Sequence, residues 1–374
     1  MKIKTFKVEK WMNDYEQQAK YNLGETCIDS LKVGELLELC NVDKEEFFKE
    51  LADTRLTYSH IYGSAEFLKG VASLYENVKP ENVVPTHGAV GANNMVITTL
   101  IEPTDNMVSV MPTYQQHYSI PESIGAEVRI LHLRPEDNFL PSIEQLKKLV
   151  DKNTKMISLN NPNNPTGAWI PRKYMEEIVE IAKSVDAYIL CDEVYRGISE
   201  DGSYLQSIID LYDKGICVGS MSKIFSLAGV RLGWIATGDD EVVAKVLERR
   251  DYDTISCGVI DDKLASLALA NKENIYKRNR EILLKNRAIL DKWVNETEGV
   301  HYVKPVAGTT ALVYYDLDIP SYDLCTRLIK EKGLLFSPGA AFEMEGAVRI
   351  GYAFDSKLLQ KGLDIFAEFL NENR

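Results

Sequence analysis

Lys155-Met156-Ile157-Ser158-Leu159-Asn160-Asn161-Pro162-Asn163-Asn164-Pro165-Thr166-Gly167 runs from a short apolar strand into a turn rich in Asn and Pro. Pro171 then opens a pattern with apolar residues at helical spacing, Arg172–Val185. A second apolar strand, Ala187–Cys191, follows and ends in two acids, Asp192 and Glu193. The same alternation continues outward in both directions. Candidate strands are Asn82–Thr86, Asn106–Met111, Glu127–His132, Gly215–Val218 and Gly233–Ala236. Between them Ser142–Val150 reads as a helix, with Ser142 as N-cap and Gln145 three residues on. Strands and helices in alternation predict an α/β fold, a large domain whose mostly parallel seven-stranded sheet is covered on both faces.

The carboxy-terminal part reads differently. Lys272 to Asn295 forms one long, highly charged helix, with Ile282, Leu283, Ile289, Leu290 and Trp293 on its apolar side. Strands at Val300–Lys304, Thr309–Asp316, Leu334–Ser337 and Ala347–Gly351 follow, with helices near Ser321–Glu331 and Ser356–Asn371. This predicts a smaller α+β domain hinged on the long helix. The expected division is an amino-terminal arm and part of the small domain over 1–40, a large domain over 41–265 and a small domain over 266–374.

Composition narrows the class. The 374 residues are 45% hydrophobic and 26% charged, an ordinary globular balance. The net charge of −13 opposes a nucleic-acid role, because phosphate binding needs a basic face. None of the six cysteines forms a C-x-x-C pair, and the five histidines are scattered without an H-E-x-x-H, so no metal site is expected. Met1–Lys10 alternates Lys with apolar residues and lacks a signal-peptide core, and no run of about 18 apolar residues occurs. A cytoplasmic protein without membrane partners is the expectation.

Four segments carry chemistry. Asn160 to Gly167 follows a strand, and alone it is a turn as readily as a site. Ile189-Leu190-Cys191-Asp192-Glu193-Val194-Tyr195 ends in acids where α/β ligand sites lie, although Asp192 alone is as easily a helix N-cap. Gly219-Ser220-Met221-Ser222-Lys223 again follows a strand, and Ala228-Gly229-Val230-Arg231-Leu232-Gly233 comes just after. A lone lysine there is usually solvated, and no Walker A pattern is present. His87-Gly88-Ala89-Val90-Gly91-Ala92-Asn93-Asn94 lets backbone N–H groups approach an anion, but lacks the dinucleotide fingerprint.

The conjunction decides. Asn-Pro-Thr-Gly, Asp-x-x-Tyr, Ser-x-Ser-Lys and Gly-x-Arg-x-Gly occur in that order, each where a strand should end. Over about Leu23 to Gly351 the chain resembles the class I/II aminotransferases of fold type I, the aspartate-aminotransferase-like enzymes that use pyridoxal 5′-phosphate (PLP). The resemblance implies that Lys223 carries PLP as an aldimine and shuttles the substrate Cα proton. It implies that Asp192 keeps the pyridine nitrogen protonated. Tyr195 and Asn164 would bond the ring's O3′, and Tyr114 would stack on the ring. Ser220, Ser222 and Arg231, with the backbone of Ala89 and Val90, would hold the phosphate. Tyr62 resembles the tyrosine that reaches a neighbouring subunit's phosphate, which implies a homodimer. Arg349 would bind the substrate α-carboxylate as a fork, and Gly24 would close over the substrate.

Two departures stand out. Gly24-Glu25-Thr26 replaces the usual Gly-Glu-Pro, and the arm carries Trp11, Asn13, Asp14, Tyr15 and Glu16. The arm either covers the site or packs on a partner subunit, the more usual case. Asp14, Glu16 and Glu25 would repel a dicarboxylic side chain, unless they are merely solvated. The expected activity is transfer of an amino group from an L-amino acid, with neutral, aromatic or basic ones favoured, to a 2-oxo acid. A PLP-dependent lyase, decarboxylase, oxidase or cyclase uses the same lysine, aspartate and arginine and stays open. A non-enzymatic PLP-binding module lacks an appended basic segment, and a Rossmann dehydrogenase lacks its glycines.

Overall fold

The structure is a computed structural model that describes residues 2–58, 60–197, 199 and 205–374. Its central sheet has strands β1 (Val83–Thr86), β2 (Asn106–Met111), β3 (Glu127–His132), β4 (Thr154–Asn160), β5 (Tyr188–Asp192), β6 (Gly215–Ser220) and β7 (Gly233–Thr237). Their order is β1-β7-β6-β5-β4-β2-β3. β7 runs antiparallel to both of its neighbours, and the other pairings are parallel.

Alternation of side chains builds two cores from single apolar runs. Ile157, Ile189, Cys191 and Cys217 face Met175, Ile178 and Ala182 of the helix Arg172–Ser184. Met156, Leu190, Ile216 and Val218 face the other way, toward Ala92, Val96 and Ile97 of the helix Gly88–Leu100. Ser142 caps the helix Ile143–Leu149, its hydroxyl accepting from the Gln145 N–H at 3.3 Å.

A third core joins the carboxy-terminal region to the rest. Trp293 of the helix Lys272–Glu296 stacks on Phe366 of the helix Ser356–Glu372 at 5.8 Å. An antiparallel sheet of Ser337–Pro338, Ala347–Gly351, Thr310–Tyr315 and Val300–Tyr302 packs beside them. The expected strand Leu334–Ser337 is in fact two. Leu334–Leu335 pairs with Tyr21–Asn22, and Ser337–Pro338 joins the four-stranded sheet. Between them the Phe336 carbonyl accepts from the Trp11 indole N–H at 2.8 Å instead of a ladder partner. The helix near Ser321 is α-helical over Ser321–Arg327 and passes into a wider turn, Leu328–Lys332. Among the described residues no helix is long and apolar enough to cross a membrane.

Candidate active site

The carboxyl ends of β4, β5 and β6 lie side by side. Asn160 is in register with Asp192, and Asp192 with Val218, so the loops after the three strands open onto one edge of the sheet. A cleft of about 330 Å³ lies there. It brings together Gly24, Ala89, Val90, Tyr114, Asn164, Asp192, Tyr195, Ser220, Ser222, Lys223, Arg231 and Arg349. Tyr62 is absent from it and is 64% exposed on the surface. Among the described residues no group of three or more His, Cys, Asp or Glu is placed to hold a metal ion.

Asp192 is buried and accepts at both oxygens. Asn93 Nδ2 donates at 2.7 Å and the Val194 N–H at 3.2 Å. His117 Nε2 stands 3.6 Å from the same carboxylate, while its Nδ1 shares a 2.7 Å hydrogen bond with the Ser158 hydroxyl. Glu193, the next residue, points away and pairs with Arg196 at 2.8 Å in the interior.

Lys223 Nζ donates to Thr26 Oγ1 at 2.7 Å and lies 3.5 Å from Cys27 Sγ. Burial opposes its ammonium form, but Cys27, Tyr195 and Glu25 outweigh burial and raise its pKa. Burial pushes the Cys27 thiol up to about 11, so at neutral pH it is a thiol. Burial also opposes the Glu25 carboxylate. Lys223 and the N–H groups of Thr26 and Cys27 override that effect, and the Glu25 pKa is lowered.

Arg349 is buried with neutral partners. It donates to Gly24 O at 2.9 Å, Ser337 Oγ at 2.9 Å and Asn164 Oδ1 at 3.3 Å. Its Nε is buried and has no partner, and burial lowers its pKa. A buried cation among neutral groups is matched only when an anion arrives.

The helix Gly88–Leu100 starts in the cleft with no side-chain cap and no acid in its first turn. Gly88 has φ +67°, and a Cβ there would stand 3.2 Å from Arg231 Nη2. A Cβ on Gly233 would meet the Gly88 and Ala89 backbone at 2.5 and 2.8 Å. The two glycines therefore keep open a cradle of backbone N–H groups beside a guanidinium and two serines, which fits a phosphate dianion. Asp192 at the far end fits a protonated ring nitrogen. The residues present thus suit PLP at both ends.

Several functional residues carry weaker sequence signals. Asn93 is the polar side chain on the otherwise apolar buried face of its helix, and His117 closes the buried polar run Gln115-Gln116-His117. The amino-terminal helix Lys7–Tyr15 lies over the chain's own cleft, the first of the two places expected for the arm. Its Val8, Glu9 and Met12, with Glu16 just beyond, line the opening. Tyr114 donates to Glu9 Oε1 at 2.6 Å, and burial together with that carboxylate holds the phenol pKa far up. Asp14 lies outside the lining and pairs with Lys10 at 2.6 Å, because its side chain leaves the opposite face of this helix.

The family model for aminotransferases of class I and II matches residues 29–366. A solved PLP-dependent aminotransferase from Streptococcus suis is 46% identical and superposes with a TM-score of 0.97 over 100% of this chain and 99% of that one. A capreomycidine synthase from Streptomyces vinaceus is 26% identical over 97% of this chain and 93% of its own length. An aspartate aminotransferase from Thermotoga maritima is 28% identical over 87% of each.

Proposed function

The chain belongs to the class I and II aminotransferases, PLP-dependent enzymes, and from that premise we propose that it moves the amino group of an L-amino acid to a 2-oxo acid with Lys223 as the catalytic residue. The observation that carries this is the single cleft in which Lys223, Asp192, Arg231 and Arg349 meet. When bound, PLP supplies an electron-withdrawing ring that stabilises negative charge at the substrate Cα.

The chain's own residues do the rest. Arg231, Ser220, Ser222 and the N–H groups of Ala89 and Val90 hold the phosphate. Asp192 would keep a proton on the ring nitrogen, and the Asn93 amide fixes the carboxylate's direction. Tyr195 and Asn164 hydrogen-bond the ring hydroxyl, and Tyr114 covers one face. Arg349 takes the α-carboxylate as a fork and Gly24 closes beside it. Lys223 would hold the cofactor and move the proton at Cα, and Thr26 accepts from its free amine at 2.7 Å. The carboxylates at the opening favour a neutral, aromatic or basic amino acid over aspartate or glutamate. Two copies form the working unit.

The second reading, a PLP-dependent cyclase, lyase or oxidase, is favoured by the likeness to a capreomycidine synthase along nearly the whole chain. Coupled assays separate the two. A 2-oxo product formed beyond one equivalent of enzyme only when a 2-oxo acid acceptor is supplied supports transamination. Ammonia release, or turnover without any acceptor, supports the second reading. Lys223→Ala should purify without a borohydride-reducible chromophore and without turnover, and label at a different lysine would refute the assignment.

A further inference from the structure

The opening of the cleft has a definite charge pattern. Three cations line the cleft, Lys223, Arg231 and Arg349, and each is already assigned to the cofactor or the α-carboxylate. The carboxylates of Glu9 and Glu16 line the rim, together with the apolar side chains of Val8 and Met12. Two other acids near this end are already committed. Glu25 accepts from the N–H groups of Thr26 and Cys27 at 2.7 and 2.8 Å and faces Lys223. Asp14 pairs with Lys10.

Glu9 accepts one hydrogen bond, from Tyr114, at Oε1. A carboxylate has about four acceptor positions, so its capacity is mostly unused. Glu16 accepts from Asn22 Nδ2 at 3.4 Å. At the inner end the buried, unpartnered Nε of Arg349 calls for an anion. A ligand that satisfies both ends is anionic at one terminus and cationic at the other, with an alkyl stretch between.

We propose that this cleft selects an L-amino acid whose side chain is an alkyl chain ending in an ammonium or guanidinium, and that Glu9 is the specificity-determining residue, with Glu16 beside it. The proposal rests on the amino-acid reading of the site given above and narrows it. With the α-carboxylate on Arg349 and the α-amino group toward Lys223, the side chain leaves along the amino-terminal helix. Its methylenes lie against Val8 and Met12, and its cation reaches the rim. A dicarboxylic side chain in the same place meets only like charge.

The test is an absorbance titration of the holoenzyme's cofactor without acceptor, using L-lysine, L-arginine, L-norleucine and L-glutamate. Norleucine has the carbon chain of lysine without its ammonium. The expected result is that lysine or arginine binds about 10- to 100-fold more tightly than norleucine, the worth of a charge-assisted contact. Glutamate binds more weakly than norleucine, and the cationic preference shrinks with added salt. In Glu9→Gln/Glu16→Gln the ratio of lysine to norleucine affinity falls toward one. Glutamine keeps an acceptor for Tyr114 and suits a helix, so the variant folds. Equal affinity for norleucine and the cationic amino acids in the unaltered enzyme overturns the proposal, and so does a preference that survives in the double variant. Either result leaves the amino-acid reading standing. If no amino acid changes the absorbance, that reading fails, and this inference with it.

Discussion

Asp192 is useful because of what surrounds it rather than because it is acidic. Its neighbour Glu193 is also a carboxylic acid and equally buried, yet it turns into the interior toward Arg196, while Asp192 turns into the cleft. Successive side chains on a strand point to opposite faces, so one position separates a carboxylate that lines the cleft from one that pairs in the interior. Asn93 hydrogen-bonds Asp192, and the His117 ring stands 3.6 Å from the same carboxylate. Asp192→Asn should therefore keep the fold and most cofactor affinity and lose at least about a hundredfold in kcat, because preorganised charge at the ring nitrogen is lost. Stopped-flow measurement of Cα-proton removal checks this, and a near-normal rate would leave Asp192 only a capping role. Asp192, Lys223, Arg231 and Arg349 were legible in the sequence because each sits in a short motif, Asp192 at the end of β5 and Lys223 just after β6, and the fold brings all four to one cleft. Asn93 and His117 were not, because they meet Asp192 through contacts distant in sequence, 99 positions apart for Asn93. Glu9 was missed for a related reason. Without the helix axis, nothing in the arm distinguishes Glu9, which faces the cleft, from Asp14, which faces solvent.

At the scale of elements, the loop after β5 has to hold Asp192 and Tyr195 still, and a buried ion pair does this. Glu193 Oε2 lies 2.8 Å from Arg196 Nε, and Oε1 accepts from the Ser207 hydroxyl at 3.0 Å and the Ile208 N–H at 2.9 Å. Arg196 also donates to Leu205 O at 3.0 Å and Leu74 O at 2.9 Å and lies over the Tyr75 ring. Burial raises the Glu193 pKa against the pull of Arg196. Removing the arginine leaves an uncompensated buried carboxylate, so Arg196→Leu should destabilise the protein by about 3–5 kcal/mol. Urea unfolding followed by circular dichroism measures this. A loss below about 1 kcal/mol would mean that the loop is held by packing alone. Strand and helix identities in this region followed from apolar period and caps, and the seven strands lie within a residue or two of their expected bounds. Leu334–Ser337 divided because the Phe336 carbonyl is taken by Trp11, 325 positions away, and no local pattern encodes such a partner. The nine-residue helix Lys7–Tyr15 is too short to persist alone in water. Its position comes from Trp11, which is buried between Tyr15 and Tyr322 at centroid distances of 4.4 and 5.8 Å.

At the scale of the molecule, one face still has apolar surface to bury. Leu56, Tyr58, Ile61 and Tyr62 are exposed, as are Tyr252, Ile255 and Ile260, with Tyr252 88% exposed. The two segments are stitched together by Arg250, whose Nη2 donates to the carbonyls of Ile61 and Ile255, while its Nη1 is buried without a partner. So many large apolar side chains on one face of an acidic protein mark an interaction surface. The face also runs up to the phosphate cradle. Burial raises the Asp261 pKa against the influence of His87, just before Gly88, and Val90 is both exposed and part of the cleft lining. A second copy seated here would complete the cradle from outside and bring its Tyr62 toward the neighbour's phosphate, which accounts for a tyrosine that lies outside its own chain's cleft. A closed two-fold arrangement uses the same patch twice and leaves none of it exposed. Sedimentation velocity at micromolar concentration should therefore show a dimer of about twice 42.2 kDa. Tyr62→Phe should keep the dimer and lower cofactor affinity by about 10-fold, the worth of one hydrogen bond to a charged oxygen. A monomer with full activity would contradict the shared cradle. A Tyr62→Phe dimer that retains cofactor as well as the unaltered protein would leave this face an interface that contributes no group to the site.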